Sequence, residues 1–145
     1  MKGRYTQHSK VMTIANRLVR QGYNRAYAMV KAWALVKLSA VTVKVAGVTY
    51  GKRQTAIEHL THYHPQDVRI SLCRDKANAA DKNAVAVIAA VRGKGAYTIG
   101  YLPKAFAAFI APLMDTGREV KSRLTEIRGG QALYLNYGMR IEVMI

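Results

Sequence analysis

The sequence predicts a mainly β, α+β fold, in which a small antiparallel β-barrel with one or two helices follows an N-terminal αα-hairpin. Apolar residues recur at helical spacing up to about residue 38, and from Val41 onward they alternate with polar residues, as in a half-buried strand. Five or six short strand-like segments, separated by glycine-containing turns, accompany one conspicuous helix. That combination is typical of a small, curled barrel.

The first forty residues predict two helices joined by a tight turn. Ser9 can cap a helix from residue 10 to about residue 20, which Gly22 would end. Asn24 can cap a second helix from residue 25 to about residue 38. We expect Trp33 to be its largest buried residue. The side predicted to face inward consists of Ala26, Met29, Val30, Trp33, Val36 and Lys37. Basic residues then point outward from the hairpin.

The remaining chain predicts strands and two further helices. The first strand spans about 41–48, and the others lie at about 67–74, 83–91, 96–101, 118–128 and 138–145. A short helix is expected at about 53–63, and a second one, with Pro103 in its first turn, ends at about residue 115. Turns at 92–95 and at Gly129-Gly130 connect neighbouring strands into hairpins.

Charge divides the chain into two parts. Residues 1–40 contain eight of the 23 lysines and arginines and no acidic residue, whereas residues 41–145 contain the other fifteen and all eight acids. We therefore predict a basic helical hairpin at 1–40 and a barrel domain at 41–145. The short boundary at 38–41 suggests that the two parts pack together.

The net charge of +15 points to a polyanionic partner, because such an excess of positive charge opposes compaction of the chain. Nucleic acid fits better than a membrane surface. The most apolar stretch, 26–45, is interrupted by three lysines and cannot span a bilayer. A lone cysteine, Cys73, and the absence of a signal peptide predict a reducing, cytoplasmic location.

Motifs for catalysis are weak. The run His59, His62 and His64 has a spacing that could hold zinc, but no further ligand completes it. Asp75 and Asp81 flank one loop without the additional acids that a two-metal nuclease uses. The sequence Gly93-Lys94-Gly95 lacks a nucleotide-binding frame. We therefore predict no enzyme activity, no metal, no cofactor and no small-molecule ligand.

Aromatic residues interleaved with cations predict contact with single-stranded nucleic acid. Nine tyrosines and one tryptophan accompany the 23 basic residues, and aromatic faces stack on bases while cations meet phosphates. Tyr50 precedes Lys52 and Arg53 in a turn. Tyr101 lies three residues before Lys104, next to a helix N-terminus that can receive a phosphate.

Four segments, in this order, resemble the HIRAN domain over about residues 41–145. They are 45–54 (VAGVTYGKRQ), 72–87 (LCRDKANAADKNAVAV), 99–104 (IGYLPK) and the closing glycines at 129–130 and 138. The resemblance implies an OB- or SH3-like barrel that grips the 3′-hydroxyl end of single-stranded DNA. Family members occur in a eukaryotic helicase-like remodelling factor and also in bacterial and phage proteins. For this chain, the resemblance leads us to expect a bacterial or phage origin.

The resemblance assigns roles residue by residue. Asp81 matches the acid that accepts a hydrogen bond from the terminal 3′-hydroxyl. Asn78 matches the residue that reads the terminal nucleotide or braces the loop, and Asn83 matches a position that either joins the site or orders the turn. The remaining matches are Tyr50 as a base-stacking ring, Lys104 as a phosphate contact and Tyr101 as part of the groove wall.

The chain also departs from the family pattern. Ala79-Ala80 replaces the usual Pro-Tyr of the loop, which removes one rigid residue and one ring. Thr49 and Gly51 flank Tyr50 where the well-studied eukaryotic form has an arginine and a second aromatic residue. Lys52 or Arg53 can supply the missing cation, and Thr49, Lys52 and Arg53 are predicted to contact DNA together with the matched residues.

Three functions from different classes remain open on the sequence. The first is a non-catalytic module that binds single-stranded DNA at its 3′ end in replication, repair or phage DNA metabolism, with a helicase or another DNA-processing protein as a possible partner. The second is a duplex-binding regulator that uses the N-terminal hairpin. The third is an assembly protein that binds nucleic acid without specificity.

Overall fold

The computed structural model describes residues 2–37, 40–131 and 135–144, with the side chains of residues 2–7, 35 and 37 outside that description. Four α-helices and six strands occur in these ranges. In chain order they are α1 (Lys2–Arg20), α2 (Arg25–Lys37), β1 (Ala40–Lys44), α3 (Arg53–Leu60), β2 (Val68–Arg74), β3 (Val85–Val91), β4 (Ala96–Tyr101), α4 (Lys104–Asp115), β5 (Lys121–Arg128) and β6 (Gly138–Met144), with a 3₁₀ turn at Pro65–Asp67.

The strands form two antiparallel three-stranded sheets. One sheet has the order β1-β6-β5 and the other the order β2-β3-β4. This arrangement confirms the predicted α+β class. Closure into a single barrel is not established by strand pairing among the described residues and stays a prediction.

Two seams connect the sheets. At the first, Ala46 and Tyr101 exchange backbone hydrogen bonds of 2.8 and 2.9 Å, so the chain after β1 pairs with the end of β4. At the second, β2 packs against β5, and the hydroxyl of Ser122 donates to the carbonyl of Ile70 over 3.1 Å. The first seam requires Gly100, because a methyl group there would overlap the Ala46 carbonyl and lie 2.7 Å from a methyl of Val45.

The beginning of α1 differs from the prediction. The helix begins at Lys2 rather than after Ser9, and Ser9 lies inside it, with its carbonyl accepting a 2.8 Å hydrogen bond from the Thr13 hydroxyl. Ser9 does not act as a cap because residues 4–8 contain no proline or glycine that would end the helix upstream. The cap on α2 is confirmed, since the Asn24 side chain accepts from the backbone nitrogen of Ala26 at 2.8 Å.

The buried side of α2 is also different from the predicted one. Ala28, Ala32 and Val36 are buried, whereas Val30 is 66% exposed and Trp33 is half-buried. These alanines, one turn apart, let α1 approach closely, and the larger side chains are displaced toward the margins of the contact. The predicted end of this helix at residue 38 lies outside the described residues.

One hydrophobic core joins the hairpin to the sheets. Ile14 and Leu18 of α1 are fully buried with Ile110 and Leu113 of α4, and α1 packs against α4. The division at 38–41 stays a prediction, and residues 38 and 39 are outside the described ranges. No helix in the described part of the chain is long and apolar enough to cross a membrane.

Several boundaries are shorter than predicted because a turn intervenes. β1 ends at Lys44 rather than near residue 48, since Gly47 adopts a left-handed φ of +70° that a strand does not tolerate. Helix α3 ends at Leu60 instead of residue 63, and β5 begins at Lys121 instead of 118. The predicted last strand position, 145, lies outside the described residues.

Gln54 joins two segments that are distant in sequence. Its side-chain nitrogen donates to the carbonyls of Val48 at 3.0 Å and Tyr137 at 2.9 Å, and its side-chain oxygen accepts from the Tyr137 nitrogen at 2.6 Å. The half-buried amide therefore ties the start of α3 to the segment before β6.

Replacing Gln54 by alanine should lower the free energy of unfolding by about 1–3 kcal/mol, because three backbone groups lose their partner. Urea unfolding followed by circular dichroism measures the loss. The exposed Gln66, changed to alanine, serves as the control and should stay within about 0.5 kcal/mol of the parent chain. Equal, small effects at both positions would show that the Gln54 contacts do not stabilise the fold.

Candidate nucleic-acid interface

Tyr50, Arg53 and Tyr101 form one cluster on the surface. The guanidinium carbon of Arg53 lies 5.2 Å from the ring centre of Tyr50 and 5.3 Å from that of Tyr101. These distances are within the range of cation–π attraction. Tyr50 itself is 75% exposed, so its ring is open to a ligand.

The turn before α3 holds this cluster. The carbonyl of Gly47 accepts hydrogen bonds from the Tyr50 nitrogen at 3.3 Å and from the Arg53 guanidinium at 2.8 Å. Gly47 and Gly51 both have positive φ, +70° and +59°, which lets the chain reverse within a few residues. Arg53 is thereby fixed at one end, while its planar fork retains donors for a phosphate.

Tyr101 connects the cluster to the loop at 75–84. Its hydroxyl donates a 2.9 Å hydrogen bond to a carboxylate oxygen of Asp75. That hydrogen bond raises the pKa of Tyr101 above its ordinary value, burial and the negative charge of Asp75 act in the same direction, and Arg53 opposes them. Tyr101 therefore remains protonated, as a donor, at neutral pH.

The loop at 75–84 is braced by its own polar side chains. The Asn78 side-chain oxygen accepts from the nitrogens of Ala80 at 2.9 Å and Asp81 at 3.1 Å. One carboxylate oxygen of Asp81 accepts from the Asn83 nitrogen at 2.9 Å. Such side-chain turns preorganise the backbone of the loop, which has alanines at positions 79 and 80.

Arg74 holds the loop in place through hydrogen bonds to its backbone and an ion pair with α4. Its guanidinium donates to the carbonyls of Ala84 at 2.7 Å and Lys82 at 3.0 Å, and it pairs with Asp115 of α4 at 2.9 Å. The Asp115 carboxylate also meets Arg17 of α1 at 3.5 Å. A single ion-pair centre therefore orients the loop, α1 and α4 together.

Asp81, the second acidic residue of the loop, has few partners. It is half-buried, and within the described residues it forms no ion pair, although the chain has a net charge of +15. Its second carboxylate oxygen accepts no hydrogen bond from any residue that the structure describes. The loop thus holds a carboxylate whose remaining lone pairs are available to an external donor.

Asn83 has a structural contact. It is 8% exposed, and its amide exchanges hydrogen bonds of 2.9 and 3.2 Å with the amide of Gln21. This agrees with the interpretation of Asn83 as a residue that orders the turn. The pair also ties the loop to the end of α1.

The structure brings some of the sequence-predicted residues together and leaves others apart. Tyr50, Arg53 and Tyr101 are in direct contact, and Asp75 links Tyr101 to the loop that contains Asn78 and Asp81. The other three predicted contacts, Thr49, Lys52 and Lys104, are exposed residues in the turn, at the cap of α3 and at the first position of α4. Their roles as DNA contacts stay predictions.

Sequence reasoning did not identify Asp75 and Arg74 as parts of this site. In the sequence, Asp75 stands out only as half of a nuclease pair with Asp81. Strand pairing puts Cys73 level with Tyr101, because Cys73 lies opposite Ala86 and Ala86 lies opposite Tyr101. Asp75 follows two residues later, just after the end of β2, and its side chain accepts the hydrogen bond from the Tyr101 hydroxyl. The sequence shows only that Arg74-Asp75 ends a strand, not which residue of β4 is level with it.

Metal ligands do not converge in the described part of the chain, where no three residues of the histidine, cysteine, aspartate or glutamate types form a group. The His64 side chain instead accepts a 3.2 Å hydrogen bond from the Gln66 nitrogen and caps the 3₁₀ turn.

The fold and this surface define a small, basic α+β domain with an aromatic and cationic cluster beside a polar loop. The family model of the HIRAN domain matches residues 38–144, and the chain belongs to the HIRAN family. HIRAN domains are a DNA-binding family, which is consistent with the basic surface.

Other comparisons add little. A search of curated proteins found no match. A crystal structure of a protein from Lactobacillus plantarum, a structural genomics target, is similar to this chain with 22% identity and a TM-score of 0.47. The similarity covers 73% of this chain and 97% of that one.

Changing Asp75 to asparagine should lower the pKa of Tyr101 toward its ordinary value, because the charged acceptor is removed. Ultraviolet titration of tyrosinate, taken as the difference between each chain and its Tyr101→Phe version, isolates this one ring. Since the folded-state pKa is the raised one, the parent chain should lose stability as pH rises from about 10 through that pKa. The Asp75→Asn chain should show a smaller loss. An unchanged titration would contradict the assigned contact.

Proposed function

We propose that this chain is a non-catalytic DNA-binding module that captures the 3′-hydroxyl end of single-stranded DNA. The observation that supports the proposal is the Asp81 carboxylate, held half-buried on a braced loop with lone pairs that no described residue occupies. Asp81 lies in the same loop as Asp75, which accepts a hydrogen bond from Tyr101 of the cluster, and a carboxylate next to bound phosphates would repel them. An acid there serves a ligand group that donates a hydrogen bond.

The chemistry of a strand end provides that donor. A terminal 3′-hydroxyl can donate to a carboxylate, whereas an internal phosphodiester or a 3′-phosphate carries negative charge and is repelled by it. Selectivity for ends thus combines an attraction with a repulsion at one residue. Asn78 and Arg74 maintain the loop geometry on which this discrimination depends.

The cluster at Tyr50, Arg53 and Tyr101 supplies affinity. An exposed Tyr50 ring offers a face for a base, and the positive charge of Arg53, which is next to that ring, attracts a phosphate. The hydrogen bond between Tyr101 and Asp75 sets the distance between this cluster and the loop. One nucleotide end can then meet both parts of the surface.

We further propose that the two seams between the sheets give the domain the character of a small, partly open barrel of the OB type. The strand order β1-β6-β5 continues through the Ser122 seam to β2-β3-β4 and returns through the Ala46 seam to β1. In this proposal the module has no catalytic centre and acts beside a helicase or another DNA-processing protein in bacterial or phage replication or repair.

An oligonucleotide with a 3′-hydroxyl should bind about tenfold or more tightly than one with a 2′,3′-dideoxy end, because a hydrogen bond to a charged acceptor is worth about 1.5–3 kcal/mol. A 3′-phosphate should bind still more weakly. Fluorescence anisotropy with labelled oligonucleotides measures the three affinities.

Asp81→Ala should remove the differences between these ends, and Asp67→Ala, at an exposed acid of the 3₁₀ turn, should preserve them. Equal binding of all three ends by the parent chain would falsify end capture. A loss of the preference in both variants would place the discriminating group elsewhere.

Tyr50→Ala should weaken binding of single-stranded DNA by about 1–3 kcal/mol without changing stability, because the exposed ring contributes stacking and little packing. Tyr50→Phe keeps the ring face and should bind as the parent chain does. Anisotropy gives the affinities, and thermal unfolding checks the stability. If the phenylalanine variant is as weak as the alanine variant, the hydroxyl rather than the ring makes the contact.

A further inference from the structure

Two depressions adjoin each other along α3 and β4, starting at the Tyr50 cluster and continuing past it. The first, of about 190 Å³, begins at Tyr50 and Arg53. The second, of about 330 Å³, ends at Tyr63 and Lys94. Tyr97 and Ala56 line both of them, so the two depressions form a single groove.

The walls of the groove have the composition of a single-strand path. Tyr97 is 55% exposed and lies between Tyr50 and the half-buried Tyr63, so ring faces occur at both ends and in the middle. Lys52 and Arg53 supply positive charge at one end, and His59 and Lys94 lie at the other. No acidic residue is among the described residues that line either depression.

A small side chain keeps the groove continuous. Ala56, on the side of α3 that faces β4, is half-buried where the depressions meet, and α3 packs along β4. A larger residue there would fill the junction. Ligand pockets for small molecules are mostly enclosed and lack an array of cations, whereas this groove is open and combines tyrosine rings and aliphatic side chains with lysine and arginine, which favours an extended single strand.

We propose that this groove binds the nucleotides upstream of the captured 3′ end, with Tyr97 as a second base-stacking position and Lys94 as a phosphate contact. The direction of the strand rests on the proposed function, because it is the loop at 75–84 that receives the terminal nucleotide. From there the strand passes the Tyr50 cluster, crosses Tyr97 and leaves toward the turn between β3 and β4.

The spacing along β4 fits more than one nucleotide. Tyr97 and Tyr101 lie opposite Ala89 and Ala86, because the pairing shifts by one residue between them, and this separation of three residues on β3 corresponds to about 10 Å at about 3.3 Å per residue. Lys94 lies farther along, in the turn that connects β3 to β4.

A length series tests the groove. Dinucleotides and decanucleotides with a 3′-hydroxyl are titrated by anisotropy against the parent chain, Tyr97→Ala and Tyr97→Phe. We expect the decanucleotide to bind the parent chain more tightly than the dinucleotide. Tyr97→Ala should lose about tenfold in decanucleotide affinity and leave the dinucleotide unchanged, and Tyr97→Phe should behave as the parent chain.

Salt dependence tests the phosphate contact separately. Lys94→Ala should lower the magnitude of the slope of log affinity against log salt by about 0.7 for the decanucleotide, because one single-strand phosphate contact is lost. The slope for the dinucleotide should stay the same. An unchanged decanucleotide slope would remove Lys94 from the path.

Tyr27→Ala is the matched control, since Tyr27 is a 49% exposed tyrosine on α2, stacked on Tyr23 and away from the groove. It should leave both affinities unchanged. If Tyr27→Ala abolishes the gain with length and Tyr97→Ala does not, the strand follows the helical hairpin and the groove proposal is wrong. Equal losses for both oligonucleotides in Tyr97→Ala would likewise overturn it.

End capture and the groove can fail independently. If the parent chain shows no preference between 3′-hydroxyl and dideoxy ends while Tyr97→Ala still removes the gain with length, the groove stands and end capture does not. If the end preference is intact and the gain with length does not depend on Tyr97, end capture stands alone. A photoreactive base just upstream of the 3′ end should crosslink to Tyr97, and crosslinking only from the opposite end would reverse the assigned direction.

Discussion

The ion pair between Arg74 and Asp115 is the interaction on which the candidate site depends. Both side chains are largely buried, with 10% and 17% of their surfaces exposed, and the guanidinium meets the carboxylate at 2.9 and 3.4 Å. The same guanidinium reaches two carbonyls of the loop at Lys82 and Ala84. Its orientation by Asp115 therefore determines the path of the loop backbone and, with it, the location of Asp81, the acid proposed to receive the strand end. The chain has eight acidic residues, and one of them, Asp115, thus positions another, Asp81, through Arg74.

The class of the fold could be predicted from sequence because it depends on local periodicity. The change from helical spacing to alternation at Val41 and the cap at Asn24 are local signals, and the structure agrees with both. The face of α2 could not be predicted in this way. Its contact surface is chosen by how closely two helices can approach, and Ala28 and Ala32 allow a closer approach than the larger residues that the apolar pattern favours. The two sheets meet at seams between distant segments, which periodicity does not describe.

The candidate site was predictable where its residues lie within a motif. Tyr50 and Arg53 are three residues apart, and the turn formed by Gly47 brings both side chains to one place. Asp75 and Tyr101 meet only because three strands share a register, and the contact between Gln21 and Asn83 requires α1 to be docked. A sequence shows which residue types are available for a site. It does not show their neighbours across a sheet, so the groove at Tyr97 had no signal in the linear pattern.

Gly100 has a consequence for how the binding surface tolerates change. It faces no ligand, yet the hydrogen atom on its α-carbon is all that separates β4 from the backbone at Ala46. Any side chain at this position would clash with the Ala46 backbone and push the two sheets apart at that edge. Tyr101, the next residue, would then move away from Arg53. A single methyl group at position 100 could thus disrupt the candidate binding surface, although none of the residues that line that surface would have changed.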